Sequence, residues 1–186
     1  MSHAALAGAV NGAEHWSADE ALEELYAAHW RRLVRLAVLL LGDVGTAEEV
    51  VQDAFVAMHG RWGRLNDHDA ALAYLRQTVV NRSRSVLRHQ LVARRHLRAA
   101  AAQSPLTAPD ADTRALAGDR RSAVLDALGQ LPDRQREVLV LRYYLELSEA
   151  EIADALGIAR GSVKSHASRG SAALRELLGN LWKDAS

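Results

Sequence analysis

The sequence predicts an all-α protein built as two small helical domains joined by a flexible linker. Three observations lead there. Apolar residues recur at three- and four-residue steps through most of the chain, no stretch alternates apolar and polar residues as a strand would, and one segment past the middle loses its period altogether.

Leu22, Leu25, Tyr26, His29, Leu33, Leu36, Ala37 and Leu40 mark the apolar stripe of a first helix. Gly42 to Gly45 is expected to break it. Thr46, with Glu49 three residues on, has the form of a capping box opening a second helix. That helix should bury Val50, Val51, Ala54, Phe55, Met58 and Trp62. A polar turn, Asn66 to Asp69, precedes a third helix predicted from about Ala70 to beyond Leu91. From Ala99 to Gly118 the pattern gives way to alanine, Ser104-Pro105, Pro109 and a few acids, which is linker composition. A second helical unit is expected from Asp119. Pro132 suits the first turn of one helix, and Ser148 with Glu151 forms a capping box for the next. That short helix should end at Leu156-Gly157, and a last helix should run from Arg160 to Leu178. The expected units are thus a disordered tail over 1–17, an N-terminal domain over 18–98, a linker over 99–118 and a C-terminal domain over 119–182.

Composition narrows the function. No apolar run of the sequence approaches the ~20 residues that cross a bilayer. The first 16 residues lack the basic and apolar regions of an export signal. Cysteine is absent, which excludes thiolate metal sites and fits a cytoplasmic location. The net charge of zero hides strong segregation. Residues 1–57 hold nine acids and three arginines (−6), whereas residues 58–98 hold nine arginines and two acids (+7). Two different partners are implied, one basic and one polyanionic.

In the last helix Val163, Ala167, Gly170, Leu174 and Leu177 fall on one seam. Lys164, Ser165, Ser168, Arg169 and Ala172 occupy the other face, short-chained and cationic. A capped short helix, a glycine turn and such a helix form a helix-turn-helix, so this face suits a DNA groove better than plain solvent. His166 leans toward the flank of the seam. In the third helix Gln77, Asn81, Arg84 and Arg88 form a polar stripe opposite Leu72, Leu75, Val79, Ser83 and Val86. Amides that read base edges beside arginines that bind phosphate suit a nucleic-acid strand, and a solvated arginine-rich helix would carry the same stripe. The acidic face Glu48, Glu49, Gln52 and Asp53 is either solvent surface or a dock for a basic protein.

From about Ala18 to Leu178 the chain resembles the extracytoplasmic-function sigma factors of bacterial RNA polymerase. Ala47-Glu-Glu-Val-Val-Gln-Asp-Ala-Phe55 is similar to the family's polymerase-binding helix. Ala73-Tyr-Leu-Arg-Gln-Thr-Val-Val-Asn-Arg82 is similar to its promoter-melting and −10-reading segment. Leu131-Pro-Asp-Arg-Gln-Arg-Glu-Val-Leu139, Leu147-Ser-Glu-Ala-Glu-Ile-Ala153 and Gly161-Ser-Val-Lys-Ser165 are similar to its −35-reading domain. The resemblance implies a transcription initiation factor that needs no cofactor and binds core RNA polymerase as a monomer. It implies that Glu48, Glu49, Gln52 and Asp53 bind polymerase. Asp67, His68, Asp69, Ala70 and Ala71 would form a loop that captures a flipped −10 base, with Gln77, Asn81, Arg84 and Arg88 along the adjacent DNA. Arg160, Ser162, Lys164, Ser165, Ser168 and Arg169 would meet the −35 groove. The family often has arginine at the place of His166, a bulky residue at that of Ser168 and alanine at that of Gly170, which bears on sequence preference rather than docking. An anti-sigma partner is left open.

Two other readings compete. A response-regulator activator shares a similar helix-turn-helix, but its receiver domain needs strands that this N-terminal half does not predict. An enzyme would need a phosphate loop, a nucleophile elbow or paired metal ligands, and the sequence has none of these motifs. Finally, a 20-residue linker with two prolines should leave the two domains without a fixed arrangement.

Overall fold

The structure is a computed structural model and describes residues 18–65, 68–101 and 120–183. The expected tail over 1–17, most of the expected linker and Asp67 lie outside the described residues. Those described form α1 (Ala18–Leu41), α2 (Val44–His59), α3 (Trp62–Leu65), α4 (His68–Ala101), α5 (Arg120–Gln130), α6 (Asp133–Tyr143), α7 (Glu149–Leu156) and α8 (Arg160–Lys183). No strand lies among them, and no helix is long and apolar enough to cross a membrane.

In the first unit α1, α2 and α4 share one core. Leu25, Leu33 and Leu36 meet Val51, Phe55 and Met58, and Leu75, Val79 and Val80 close it from α4. Trp62 packs against its edge. The break between α1 and α2 is shorter than expected. Gly42 takes the left-handed backbone (φ 78°) that ends α1 without a Cβ penalty, and α2 restarts at Val44. Its N-cap is Asp43, whose carboxylate accepts hydrogen bonds from the Thr46 backbone N–H at 2.8 Å and from its hydroxyl at 2.7 Å. The expected Thr46–Glu49 capping box is therefore corrected. With the cap at Asp43, Thr46 is the third helical residue and its N–H is the one being capped.

In the second unit the cap of α7 is as expected: Ser148 Oγ accepts from Glu151 N at 3.3 Å, and the Glu151 carboxylate accepts from Ser148 N at 2.8 Å. Gly157, left-handed at φ 63°, turns the chain into α8. Pro132 stands one place earlier than expected, as the N-cap of α6, because its ψ of 139° is extended. Six consecutive residues of α6, Arg136 to Leu141, are buried. A helix can bury all its faces only when surrounded, and α6 is packed by α1, α7 and α8.

Helix α4 reaches Ala101, so the first residues of the expected linker are helical. The two units, expected to lack a fixed arrangement, are in contact in this structure. Helix α1 packs on α5 and α6, and α4 packs on α7. The Tyr144 hydroxyl donates to the Arg32 carbonyl at 3.1 Å, and Arg84 of α4 pairs with Glu137 of α6. Linker composition speaks only for the linker; it does not report the contacts that the two units make.

Candidate nucleic-acid interface

Helices α7 and α8 build the surface expected to meet duplex DNA. Val163, Ala167 and Gly170 are buried, and Leu174 and Leu177 pack against the core. Lys164, Ser165, Ser168, Arg169 and Ala172 are exposed on the far side, as the period predicts. Ser165 Oγ donates to the Gly161 carbonyl at 3.1 Å and Arg169 Nε to the Ser165 carbonyl at 3.2 Å. Both side chains are thereby folded along the helix, and the face is low and cationic. Glu149 ties the two helices to the core: Arg142 donates to it at 3.1 Å, and Lys164 Nζ lies 3.7 Å away. Arg160 is exposed and Ser162 half-buried in the first turn of α8. His166 is half-buried beside the seam, and its Nδ1 is buried without a hydrogen-bond partner.

The stripe on α4 is divided by the second unit. Gln77, Asn81 and Arg88 are exposed, whereas the Arg84 side chain is 21% exposed. Arg84 donates through Nε and Nη2 to the two Glu137 carboxylate oxygens at 2.8 and 2.9 Å, and through Nη1 to Asn81 Oδ1 at 3.3 Å. This fork-on-carboxylate geometry is the strongest form of the pair. Glu137 is 4% exposed and also accepts from Arg134 at 3.1 Å. Gln77 lines a crevice of about 550 Å³ between α4 and α7, with Arg76, Glu151 and Asp154 along its walls. Burial, and then the charge of Arg32, lowers the Arg76 pKa.

The expected loop Asp67–Ala71 is corrected in part. His68 to Ala71 form the first turn of α4, and Ala71 is fully buried in the core, where it packs rather than faces solvent. Asp69 is exposed and Ala70 half-buried; the His68 side chain lies outside the described residues.

On α2, Glu48, Glu49, Gln52 and Asp53 are all exposed. Asp53 is partly balanced by Arg82, 2.5 Å away. Beside this face lies a groove of about 490 Å³ lined by Leu22, Tyr26, Gln52, Phe55 and Val56. Tyr26, expected in the buried stripe, is 44% exposed and stacks on Trp30 at 4.6 Å. Three features here lie outside what the sequence pattern predicts: Tyr26 as surface, the exposed Val56, and Glu137 as the partner of Arg84.

Residues 25–91 match the family described as Sigma-70 region 2, and residues 121–174 match Sigma-70, region 4. The chain is 35% identical over 163 residues to an RNA polymerase sigma-E factor of Streptomyces avermitilis, covering 88% of each chain. It is 34% identical over 176 residues to the ECF RNA polymerase sigma factor SigM of Mycobacterium tuberculosis, covering 91% of this chain and 83% of the other. Its fold is similar to that of the sigma factor RpoE solved in complex with the anti-sigma factor NepR from Bartonella quintana. That likeness has a TM-score of 0.62 at 21% identity and covers 84% of this chain and 96% of the other. With both sigma regions in order on an all-helical frame, the chain belongs to the extracytoplasmic-function sigma factors of RNA polymerase.

Proposed function

We propose that this sigma factor joins core RNA polymerase through Glu48, Glu49, Gln52 and Asp53 and directs it to promoters through two DNA surfaces. Gln77, Asn81, Arg84 and Arg88 follow the −10 region, aided by Asp69 at the start of α4. Lys164, Ser165, Ser168 and Arg169 enter the −35 major groove, with Arg160 and Ser162 at the groove edge. The role is one of binding and positioning, without chemistry on a bound substrate, and belongs in the cytoplasm with core polymerase.

The observation that carries the reading is the segregation of charge onto separate exposed faces. The acids of α2 stand on one helix, and the cations and amides of α4 and α8 stand on others. A surface for DNA and a surface for a basic protein partner need opposite signs, and a shared face would serve neither. The small side chains on α8 let its backbone approach base edges, while Lys164 and Arg169 reach phosphates or guanine.

The test is reconstitution. Core polymerase with this protein should protect a −10 and a −35 element in footprinting and start transcripts that core alone does not. Substitution of Lys164 and Arg169 by Ala should lose the upstream protection first. Unchanged protection in that variant would overturn the −35 assignment.

A further inference from the structure

We propose that the last turns of α4 carry a further DNA contact, a sequence-independent grip by Arg95 on the backbone of the duplex just upstream of the −10 element. The inference rests on the reading of the α4 stripe as the −10 surface.

From Ala70 to Ala101, α4 holds seven arginines and no acid. Two of them are engaged within the protein: Arg82 pairs with Asp53, and Arg84 with Glu137. Arg88 and Arg95 are exposed, and neither has an ion pair among the described residues. They also share a face. At about 100° per residue, Arg95 stands within about 20° of Arg88 and in line with Gln77, about five turns back. The stripe therefore runs on past the four residues that follow the −10 region. Between the two arginines stand Leu91 and Val92, 51% and 45% exposed, which add no charge that would repel a phosphate.

Seven residues of helix place Arg95 about 10 Å beyond Arg88 along the axis, a step of about three base pairs of duplex. The direction is upstream. Helix α4 begins at His68, beside the −10 contacts, and leads toward the C-terminal domain, whose α8 face takes the −35 element. Duplex suits this end better than a single strand, because α4 has no Phe, Tyr or Trp after Tyr74 on which a free base could stack. What remains is charge, which grips phosphates and reads no sequence.

The test uses the holoenzyme and two forked forms of a promoter that it protects, each with a single-stranded −10 element. In the short fork the upstream duplex ends at the −10 element; in the long fork it continues past the reach of Arg95. Arg95→Gln should lower the salt slope of binding by about one on the long fork. It should leave the short fork, core capture and circular dichroism unchanged. Arg95→Lys should keep the slope, since a phosphate contact needs only the point charge. Arg88→Gln should weaken both forks. The chain has no cysteine, so a DNA-cleaving reagent can be placed at Val92→Cys alone, and it should cut the duplex upstream of the −10 element. An unchanged slope for Arg95→Gln on the long fork overturns the grip, and the −10 reading stands if Arg88→Gln still weakens both forks. Both variants silent overturns α4 as a DNA surface. Equal loss on both forks for Arg95→Gln puts the arginine on the single strand, and lost core capture puts it on polymerase; either overturns the duplex contact.

Discussion

Leu139 of α6 packs directly onto the backbone of Gly170 in α8, its Cδ1 only 3.1 Å from where a β-carbon on residue 170 would stand. Gln135 Cβ, one turn earlier on α6, lies at the same distance. The glycine is a packing device that lets the long helix of the helix-turn-helix seat against the central one.

Gly170→Ala should therefore destabilise the protein despite improving helix propensity. The propensity gain is about 1 kcal/mol. Overpacking a seam that must shift costs about 1–3 kcal/mol. The net loss should be near 1 kcal/mol. Gly179→Ala, in the same helix with open space around it, should instead add about 0.5–1 kcal/mol. Urea denaturation of the two variants side by side checks the pair of signs.

Ser148→Ala removes one arm of the α7 capping box and should cost about 1 kcal/mol. The same box gives a pH dependence. The hydrogen bonds from the Ser148 side chain and backbone hold the Glu151 pKa below the ordinary glutamate value. A depressed folded pKa means stabilisation that is complete above the unfolded value and is lost as pH falls through the folded one. Thermal unfolding should thus drop on acidification through the glutamate range, and Glu151→Gln should remove that contribution.

Glu48→Lys with Glu49→Lys should abolish capture of core polymerase. Both residues are exposed, so stability should change by no more than about 0.5 kcal/mol. Asp53 is a poorer probe, because its loss also frees Arg82. Native circular dichroism with undiminished binding in a pull-down would remove the acidic face from the interface.

Arg88→Ala should lower the salt dependence of promoter binding by the holoenzyme by about one phosphate contact. The effect should fall on every promoter alike, since a phosphate contact carries no sequence information. A slope that does not move would make Arg88 ordinary surface.

Much of this was legible because helices write their packing locally. The seam Val163–Ala167–Gly170 and the box Ser148–Glu151 are separated by three or four residues, within the reach of a single turn. The start of α2 is ambiguous in the sequence because Asp43 and Thr46 both satisfy the local rule for a cap, and only the backbone chooses. Tyr26 fits the apolar period of α1, yet its place at the rim of a groove depends on how α2 crosses. Arg84 and Glu137 stand 53 residues apart, and no period links them. The α4 stripe was visible in the sequence, but what occupies it was not.

Glu137 keeps a second guanidinium, that of Arg134 on its own helix, 3.1 Å away. Taking one partner from a buried ion pair ordinarily costs about 3–5 kcal/mol, because a charge is stranded in a poor solvent. Here the loss of Arg84 would strand no charge on Glu137, which retains Arg134 of its own helix. Glu137 therefore stays compensated when Arg84 is substituted, because a cation of its own helix is already in place.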